Sequence, residues 1–310
     1  MIYLITGGAG FIGSHLVEAL VASGNKVRVL DDFSTGKRAN IDGFGDSVEV
    51  IEGDIRDRDV VRHAMQGVAR VVHLAALVSV PESIAHPDDC FEINARGTQV
   101  VLDEARRAGV TQLVLASSAA VYGDNTNLPL SEHETPCPLS PYGLDKLYGE
   151  QLGKLYQELY GIEVTALRFF NVFGPRQDPS SPYSGVISIF MEKMTAGNQL
   201  NIFGDGEQTR DFVYVKDLVA AIMGSFQHHS AAFRVFNVGS GHQVSINDLL
   251  RVLSKQVSGE VSAQYAAARD GDIVHSLADT SAIANALDFT PTHSLADGLS
   301  ETLAWYLKST

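Results

Sequence analysis

Apolar residues fall in short blocks along the chain, and the blocks are of two kinds. Ile2–Thr6, Val27–Leu30, Val48–Glu52, Val71–Leu74, Leu113–Ala116 and Val164–Leu167 are brief and apolar, which predicts strands. Longer stretches between them, including Phe11–Ala22, Asp88–Ala108 and Pro141–Tyr160, read as helices. Strands buried on both faces and separated by helices predict an α/β fold on a doubly wound parallel sheet, with ligands at the carboxyl ends of the strands. Beyond about Asn171 the rhythm loosens. Gly174–Gly185, rich in Pro, Ser and Gly, reads as a crossover or loop, and Asn247–Val257 and Leu295–Leu307 read as helices of a smaller lobe. The expected division is a first domain over residues 1–170 and a smaller α/β lobe over 171–310, with some later segments returning to the first.

Composition narrows the class. The 310 residues are 45% apolar, enough for a sizeable core. With 23 basic against 37 acidic residues the net charge is −14, which argues against nucleic acid or an anionic membrane as partner and requires local cations wherever an anionic substrate binds. Cys90 and Cys137 form no CxxC pair, and no HExxH occurs, so neither a disulfide framework nor a metal site is expected. The first apolar stretch lacks a basic leader and is broken by glycines, so it reads as strand and loop, and no apolar run is long enough for a membrane span. The expected location is the cytoplasm.

The glycines carry the first chemical signal. Gly7-x-x-Gly10-x-x-Gly13 follows a predicted strand and opens the helix Phe11–Ala22, so Gly7, Gly10, Phe11, Ile12 and Gly13 are the candidate pyrophosphate cradle of a dinucleotide. Asp31, 18 residues after Gly13, ends the second strand, where a carboxylate accepts ribose hydroxyls and repels a 2′-phosphate; this favours NAD over NADP. Asp32 is the alternative for that role. Asp54 and Ile55, after the third strand, are candidates for the adenine side.

The second signal lies in Ser140-Pro-Tyr-Gly-Leu-Asp-Lys146. Ser140 suits an N-cap and Pro141 the first helical position, so Tyr142 and Lys146 share one face at i, i+4 spacing. A phenol titrates near ~10, and using it as a base near neutrality means favouring phenolate by roughly 4 kcal/mol. Lys146 and an oxidised nicotinamide, both cationic, push that way. The pair predicts hydride chemistry on an alcohol or ketone.

Together Thr6-Gly-Gly-Ala-Gly-Phe-Ile-Gly13, Gly53-Asp-Ile55, His73-Leu-Ala-Ala76, Ser117-Ser118, Tyr142-x-x-x-Lys146 and Arg168-Phe-Phe-Asn171 resemble the extended short-chain dehydrogenase/reductase family, specifically its nucleotide-sugar epimerases, over essentially the whole chain. The resemblance implies a Rossmann domain that retains NAD through turnover, with Leu74, Ala75 and Ala76 also on the cofactor, and a smaller domain holding a UDP-sugar. It implies Ser118, Tyr142 and Lys146 as the catalytic set, with Ser117 the runner-up to Ser118. Dehydratases and decarboxylases of the family resemble Thr-Asp-Glu or Thr-Ser-Glu before Val-Tyr-Gly; here Ser118-Ala-Ala-Val-Tyr-Gly123 offers no such acid or base. Epimerisation at C4 needs none: hydride leaves, the keto sugar turns, and hydride returns to the other face.

For the sugar nucleotide, the resemblance implies Asn171, then Arg210 within Gly204-Asp-Gly-Glu-Gln-Thr-Arg-Asp-Phe212, and Arg269 with Asp272, as diphosphate and uridine contacts. Ser276 stands where epimerases restricted to UDP-glucose and UDP-galactose resemble Tyr, so its small side chain leaves room for a 2-acetamido group. Val78 in Leu77-Val-Ser-Val-Pro81, and Gly185 and Val186 in Tyr183-Ser-Gly-Val-Ile187, are expected to line the same pocket. The expectation is an NAD-dependent C4 epimerase of UDP-GlcNAc and UDP-GalNAc, with UDP-Glc and UDP-Gal as further substrates. The alternatives are a UDP-glucuronate epimerase or decarboxylase, or a non-catalytic NAD-binding regulator. The resemblance also implies a homodimer through the helices Asp88–Ala108 and Pro141–Tyr160.

Overall fold

The computed structural model describes residues 1–178, 185–257, 261–268 and 273–309. Its strands in chain order are β1 Ile2–Thr6, β2 Lys26–Asp31, β3 Val48–Glu52, β4 Arg70–His73, β5 Gln112–Ser118, β6 Glu163–Phe169, β7 Asn171–Phe173, β8 Leu200–Phe203, β9 Thr209–Tyr214, β10 Arg234–Val238, β11 Gln243–Ser245 and β12 Ala263–Ala266. Seven form one sheet in the order β10-β6-β5-β4-β1-β2-β3, with every neighbouring pair parallel. The strand order reverses between β1 and β4, and in open α/β sheets ligands bind at such a switch point, at the carboxyl ends of the strands. The six strands read from the sequence are all present.

Alternation along each strand feeds two cores. Tyr3, Ile5, Val27 and Val29 point to the face covered by the helices Phe11–Ala22 and Val215–Ser225. Leu4, Leu30, Val71 and Leu113 point to the other, covered by Arg58–Ala64 and Gly97–Ala108. The predicted helix Asp88–Ala108 begins at Pro87 and passes through a π-helical stretch, Phe91–Arg96, before Gly97–Ala108. That wider turn carries Asn94, which is 3% exposed, and π-bulges of this kind often mark functional sites.

The seventh strand, β10, comes from well beyond residue 171 and packs beside β6. A third core gathers Phe173, Phe190, Leu200, Tyr214, Leu249 and Leu303 beneath two small sheets, β11-β9-β7 and β12-β8. The helices Val186–Thr195, Ile246–Ser254 and Leu295–Ser309 enclose it. Among the described residues no helix is long and apolar enough to cross a membrane.

Candidate active site

The turn after β1 is built for close approach. Gly7 adopts φ +71°, and a Cβ there would stand 2.8 Å from the Ala75 nitrogen; a Cβ on Gly13 would stand 2.2 Å from the Gly7 carbonyl oxygen. Glycine is therefore required at both positions, and the helix Phe11–Ala22 seats directly on the turn. Gly10 caps that helix without a side-chain bond, so the first-turn N–H groups around Phe11 and Ile12 point into the cleft as at any open helix start. A diphosphate fits this cradle.

Asp31 closes the cradle from β2. It is 6% exposed, its Oδ2 accepts the Ala9 N–H at 2.9 Å and its Oδ1 the Phe33 N–H at 2.9 Å. Burial pushes its carboxyl above the ordinary range, while the two N–H groups pull it back. Its remaining lone pairs suit ribose hydroxyls. Asp32 is exposed and caps its own turn through the Ser34 N–H and hydroxyl, at 3.0 and 2.7 Å, so the geometry favours Asp31. Asn40 and Lys37, absent from the sequence reading, brace the same turn by donating to the Ala9 carbonyl, the Asn40 side chain at 2.8 Å and the Lys37 N–H at 3.0 Å. Asp54 is engaged in an ion pair with Arg56 at 2.5 Å, which holds its carboxyl low. The Ile55 side chain belongs to the core, 5% exposed.

Opposite the glycine turn, Leu74 and Ala75 both donate to the Thr6 carbonyl at 3.1 Å. A directed run of hydrogen bonds lies beneath them. Thr98 Oγ1 donates to the Asn94 carbonyl at 2.5 Å, so it accepts from His73 Nε2 at 3.0 Å, and His73 Nδ1 then accepts the Thr6 hydroxyl at 2.7 Å. Thr6 Oγ1 in turn accepts the Ala75 N–H at 3.2 Å. Burial lowers His73 to about 3, consistent with this neutral tautomer. Asn94 holds the next residue, accepting the Leu77 N–H at 2.8 Å and donating to its carbonyl at 2.9 Å. The sequence offered Asn94 only as one polar residue in a helix. Ala76 is half-buried on the same loop.

Tyr142 and Lys146 lie on the first turns of the helix Pro141–Tyr160, whose N-cap Ser140 accepts the Gly143 N–H at 3.1 Å. Lys146 Nζ donates to the Ala116 carbonyl at 2.9 Å and lies 5.7 Å from the Tyr142 ring centroid. The two adjacent serines at the end of β5 part ways. Ser118 lies by the Tyr142 phenol, which its hydroxyl pulls back toward the ordinary range, and its Oγ accepts the Ala120 N–H at 3.1 Å. Ser117 donates to Glu150 Oε1 at 2.5 Å, and Glu150 is bound at 2.9 and 2.8 Å by Arg168, whose guanidinium stacks 4.7 Å from the Tyr122 ring. Ser117 is thus committed to a buried ion pair.

Electrostatics differ from the sequence expectation in one respect. Burial raises the Tyr142 phenol above its ordinary value and draws the Lys146 ammonium down to about 8. Burial disfavours both charged forms, the phenolate and the ammonium, and among its neighbours the Ser118 hydroxyl lowers the phenol.

The substrate candidates border this cleft unequally. Val78 is 68% exposed and precedes Ser79, the N-cap of the helix Val80–Ala85, from which the Ser83 hydroxyl accepts the Tyr142 N–H at 3.3 Å. Asn171 opens β7 and is exposed. Gly185 N-caps Val186–Thr195, with Val186 half-buried. Arg210 on β9 donates to the Thr209 carbonyl at 2.8 Å. Ser276 is 8% exposed on a strip that follows β9, where Thr209 donates to the Val274 carbonyl at 3.0 Å. Arg269, Asp272 and Tyr183 lie outside the described residues.

Two residues missed by sequence organise that strip. Asp211, fully buried, accepts from the Ser240 N–H at 2.6 Å, the Gly241 N–H at 3.0 Å and the Ala278 N–H at 3.1 Å. Asn237 accepts the Tyr122 hydroxyl at 2.6 Å and donates to the Leu130 carbonyl at 2.8 Å and the Asp279 carbonyl at 3.2 Å. The signal available was a polar residue inside each apolar strand, which demands a buried partner. Among the described residues no cluster of His, Cys, Asp and Glu has the geometry of a metal site.

Known proteins share this architecture. Residues 3–239 match the NAD dependent epimerase/dehydratase family. The chain is 39% identical over 304 residues to a putative UDP-glucose 4-epimerase of Methanocaldococcus jannaschii, covering 97% of each. It superposes with TM-score 0.95 and 38% identity on a UDP-N-acetylglucosamine 4-epimerase from Methanobrevibacter ruminantium M1 in complex with UDP-N-acetylmuramic acid, covering 99% of this chain and 98% of that one. It superposes with TM-score 0.91 and 33% identity on MoeE5 in complex with UDP-glucuronic acid and NAD, covering 100% of each. The chain belongs to the NAD dependent epimerase/dehydratase family as an NAD-dependent epimerase.

Proposed function

We propose that the chain inverts C4 of UDP-N-acetylhexosamines, interconverting UDP-GlcNAc and UDP-GalNAc, and also accepts UDP-Glc and UDP-Gal. The observation that carries the reaction is the placement of Tyr142 and Lys146 on one helix, the ammonium 5.7 Å from the ring centroid and bound to the Ala116 carbonyl of β5, the strand that ends at Ser118 and is followed by Ala119 and Ala120, which move no protons. Tyr142 takes the proton of the sugar 4-hydroxyl and later returns it, Ser118 hydrogen-bonds the reacting oxygen, and Lys146 offsets negative charge on the phenol. Gly7, Gly10, Phe11, Ile12 and Gly13 would hold the diphosphate of NAD and Asp31 its ribose, with Leu74, Ala75 and Ala76 also on the cofactor, which would supply the hydride acceptor and donor for C4. Arg210, Asn171, Arg269 and Asp272 bind the UDP moiety, while Val78, Gly185, Val186 and Ser276 shape the sugar pocket. In this reading residues 1–170, with β10, form the cofactor domain and most of 171–310 the substrate lobe.

The N-acetyl preference rests on Ser276, whose hydroxymethyl leaves space that a phenol ring would fill. The supporting assay is proton NMR of purified protein with UDP-GlcNAc and UDP-Glc in separate reactions. Inversion of UDP-GlcNAc supports the assignment, and inversion of UDP-glucuronic acid alone would replace it with the glucuronate reading.

The same reading includes a homodimer in the cytoplasm. Leu144, Tyr148, Leu155 and Leu159 are 39 to 67% exposed along one helix, and Phe91 is 53% exposed on the neighbouring one. These side chains form an apolar face suited to a second copy packing as a four-helix bundle. The free thiols of Cys90 and Cys137 fit a reducing compartment.

A further inference from the structure

The helix Pro141–Tyr160 carries a carboxylate that the proton transfer above leaves without a task. Asp145, the residue before Lys146, is 7% exposed, and among the described residues its side chain accepts a hydrogen bond from the Cys90 thiol alone, Sγ to Oδ2 3.1 Å. Buried carboxylates are normally held by a cation or by several N–H groups, as Glu150 is held by Arg168 on the same helix at 2.8 Å. The nearby cation for Asp145 is Lys146, which acts on it through space.

Cys90 is itself fully buried, and burial first, then the neighbouring carboxylate, pushes its thiol up to about 12, so it stays a neutral donor. Its sulfur accepts from Asn94 Nδ2 at 3.3 Å, and Asn94 clasps both backbone groups of Leu77. One run of hydrogen bonds therefore joins the loop after β4 to the residue beside Lys146.

We propose that Asp145, fixed by the Cys90 thiol, is a positioning residue that supplies the negative charge holding the Lys146 ammonium in its charged form beside Tyr142. The proposal rests on the assignment of Tyr142 and Lys146 as the proton-transfer pair. Lys146 needs such a partner because its own hydrogen-bond acceptor, the Ala116 carbonyl, is neutral and burial opposes its charge. The other ionisable groups facing it supply none. His73 on β4 is neutral, Tyr142 is a phenol raised by burial, Cys90 is a protonated thiol, and Glu150, one turn along, is neutralised by Arg168. With the Cys90 thiol neutral, Asp145 is the charged group that raises Lys146 against its desolvation.

The test is the pH dependence of kcat on a UDP-sugar, with NAD content measured in every variant. Turnover that requires charged Lys146 falls as pH rises through its titration. Asp145→Asn should move this alkaline limb down by about half a pH unit or more, because a buried charge one residue away is removed. Cys90→Ala, which strips the carboxylate of its donor, should move the limb the same way, and Cys90→Ser, which keeps an O–H donor, should restore it. A limb that stays at the parent pH in Asp145→Asn overturns the proposal, as does a Cys90→Ser limb displaced as far as that of Cys90→Ala. Should Asp145→Asn fail to fold, the two Cys90 variants decide by themselves. Tyr142→Phe separates the levels: if it keeps turnover, the proton-transfer assignment falls; if it abolishes turnover while Asp145→Asn leaves the limb unmoved, only the role of Asp145 falls.

Discussion

Single side chains decide this chemistry by what surrounds them. Ser117 and Ser118 are adjacent and identical in sequence, yet one is tied to Glu150 and the other meets Tyr142. Nothing local distinguishes them, because the partner of Ser117 is a residue of a later helix that is itself paired with β6. Ser276 invites the most specific substitution. Ser276→Tyr places a ring in space proposed for the acetamido group, and kcat/KM for UDP-GlcNAc should fall at least tenfold more than for UDP-Glc, a difference of about 1.4 kcal/mol in transition-state binding. Equal losses for both sugars in steady-state assays would separate Ser276 from the acetamido pocket.

At the scale of elements, the glycine turn and its helix form the most sharply constrained unit. An added methyl at Gly13 meets the Gly7 carbonyl oxygen at 2.2 Å, far inside any tolerated contact, so the helix must move away from β1. Gly13→Ala should lower NAD affinity more than tenfold and cost about 1–3 kcal/mol of stability; calorimetric titration and denaturant melts read the two effects. Wild-type NAD binding in that variant would contradict the cradle assignment. The β4 loop makes a second prediction through His73. In the unfolded chain the imidazole protonates near 6.5, whereas the folded one resists until about 3. Its contribution to stability is therefore full above pH 6.5 and declines as pH falls toward 3, by roughly 1.4 kcal/mol per pH unit. Buried carboxylates with raised values, such as Asp31 and Asp211, act in the opposite sense. Comparison with His73→Asn isolates the imidazole: the variant should be less stable at neutral pH yet lose less stability between pH 6.5 and 4. Parallel stability curves would contradict the buried neutral histidine.

For the whole molecule, the sheet's β1 to β6 were legible because each holds a short run of apolar residues set between helices or turns. The seventh strand was not. Arg234-Val-Phe-Asn-Val238 carries a charge and an amide in its length, and its place beside β6 depends on partners far away: Arg234 pairs with Glu163 at 3.2 Å, and Asn237 binds Tyr122, Leu130 and Asp279. The candidate cofactor residues were proposed from one contiguous turn and the strand ends around it. The candidate substrate residues were proposed only by family resemblance, and the strip around Ser276 is assembled by Asp211 and Asn237 from separated segments. The exposed row from Leu144 to Leu159 predicts a dimer. Light scattering at micromolar concentration should give about twice the 33.4 kDa chain mass, and a monomer would remove the four-helix interface.

Proton NMR of UDP-GlcNAc incubated with the purified NAD-loaded protein reads C4 inversion of an N-acetylated sugar nucleotide, the reaction proposed for Tyr142 with retained NAD. The UDP-GalNAc anomeric signal should grow to a fixed ratio with no added cofactor, and that conversion should be lost in Tyr142→Phe despite bound NAD. An unchanged UDP-GlcNAc spectrum with NAD present, or undiminished conversion by Tyr142→Phe, would contradict that proposal.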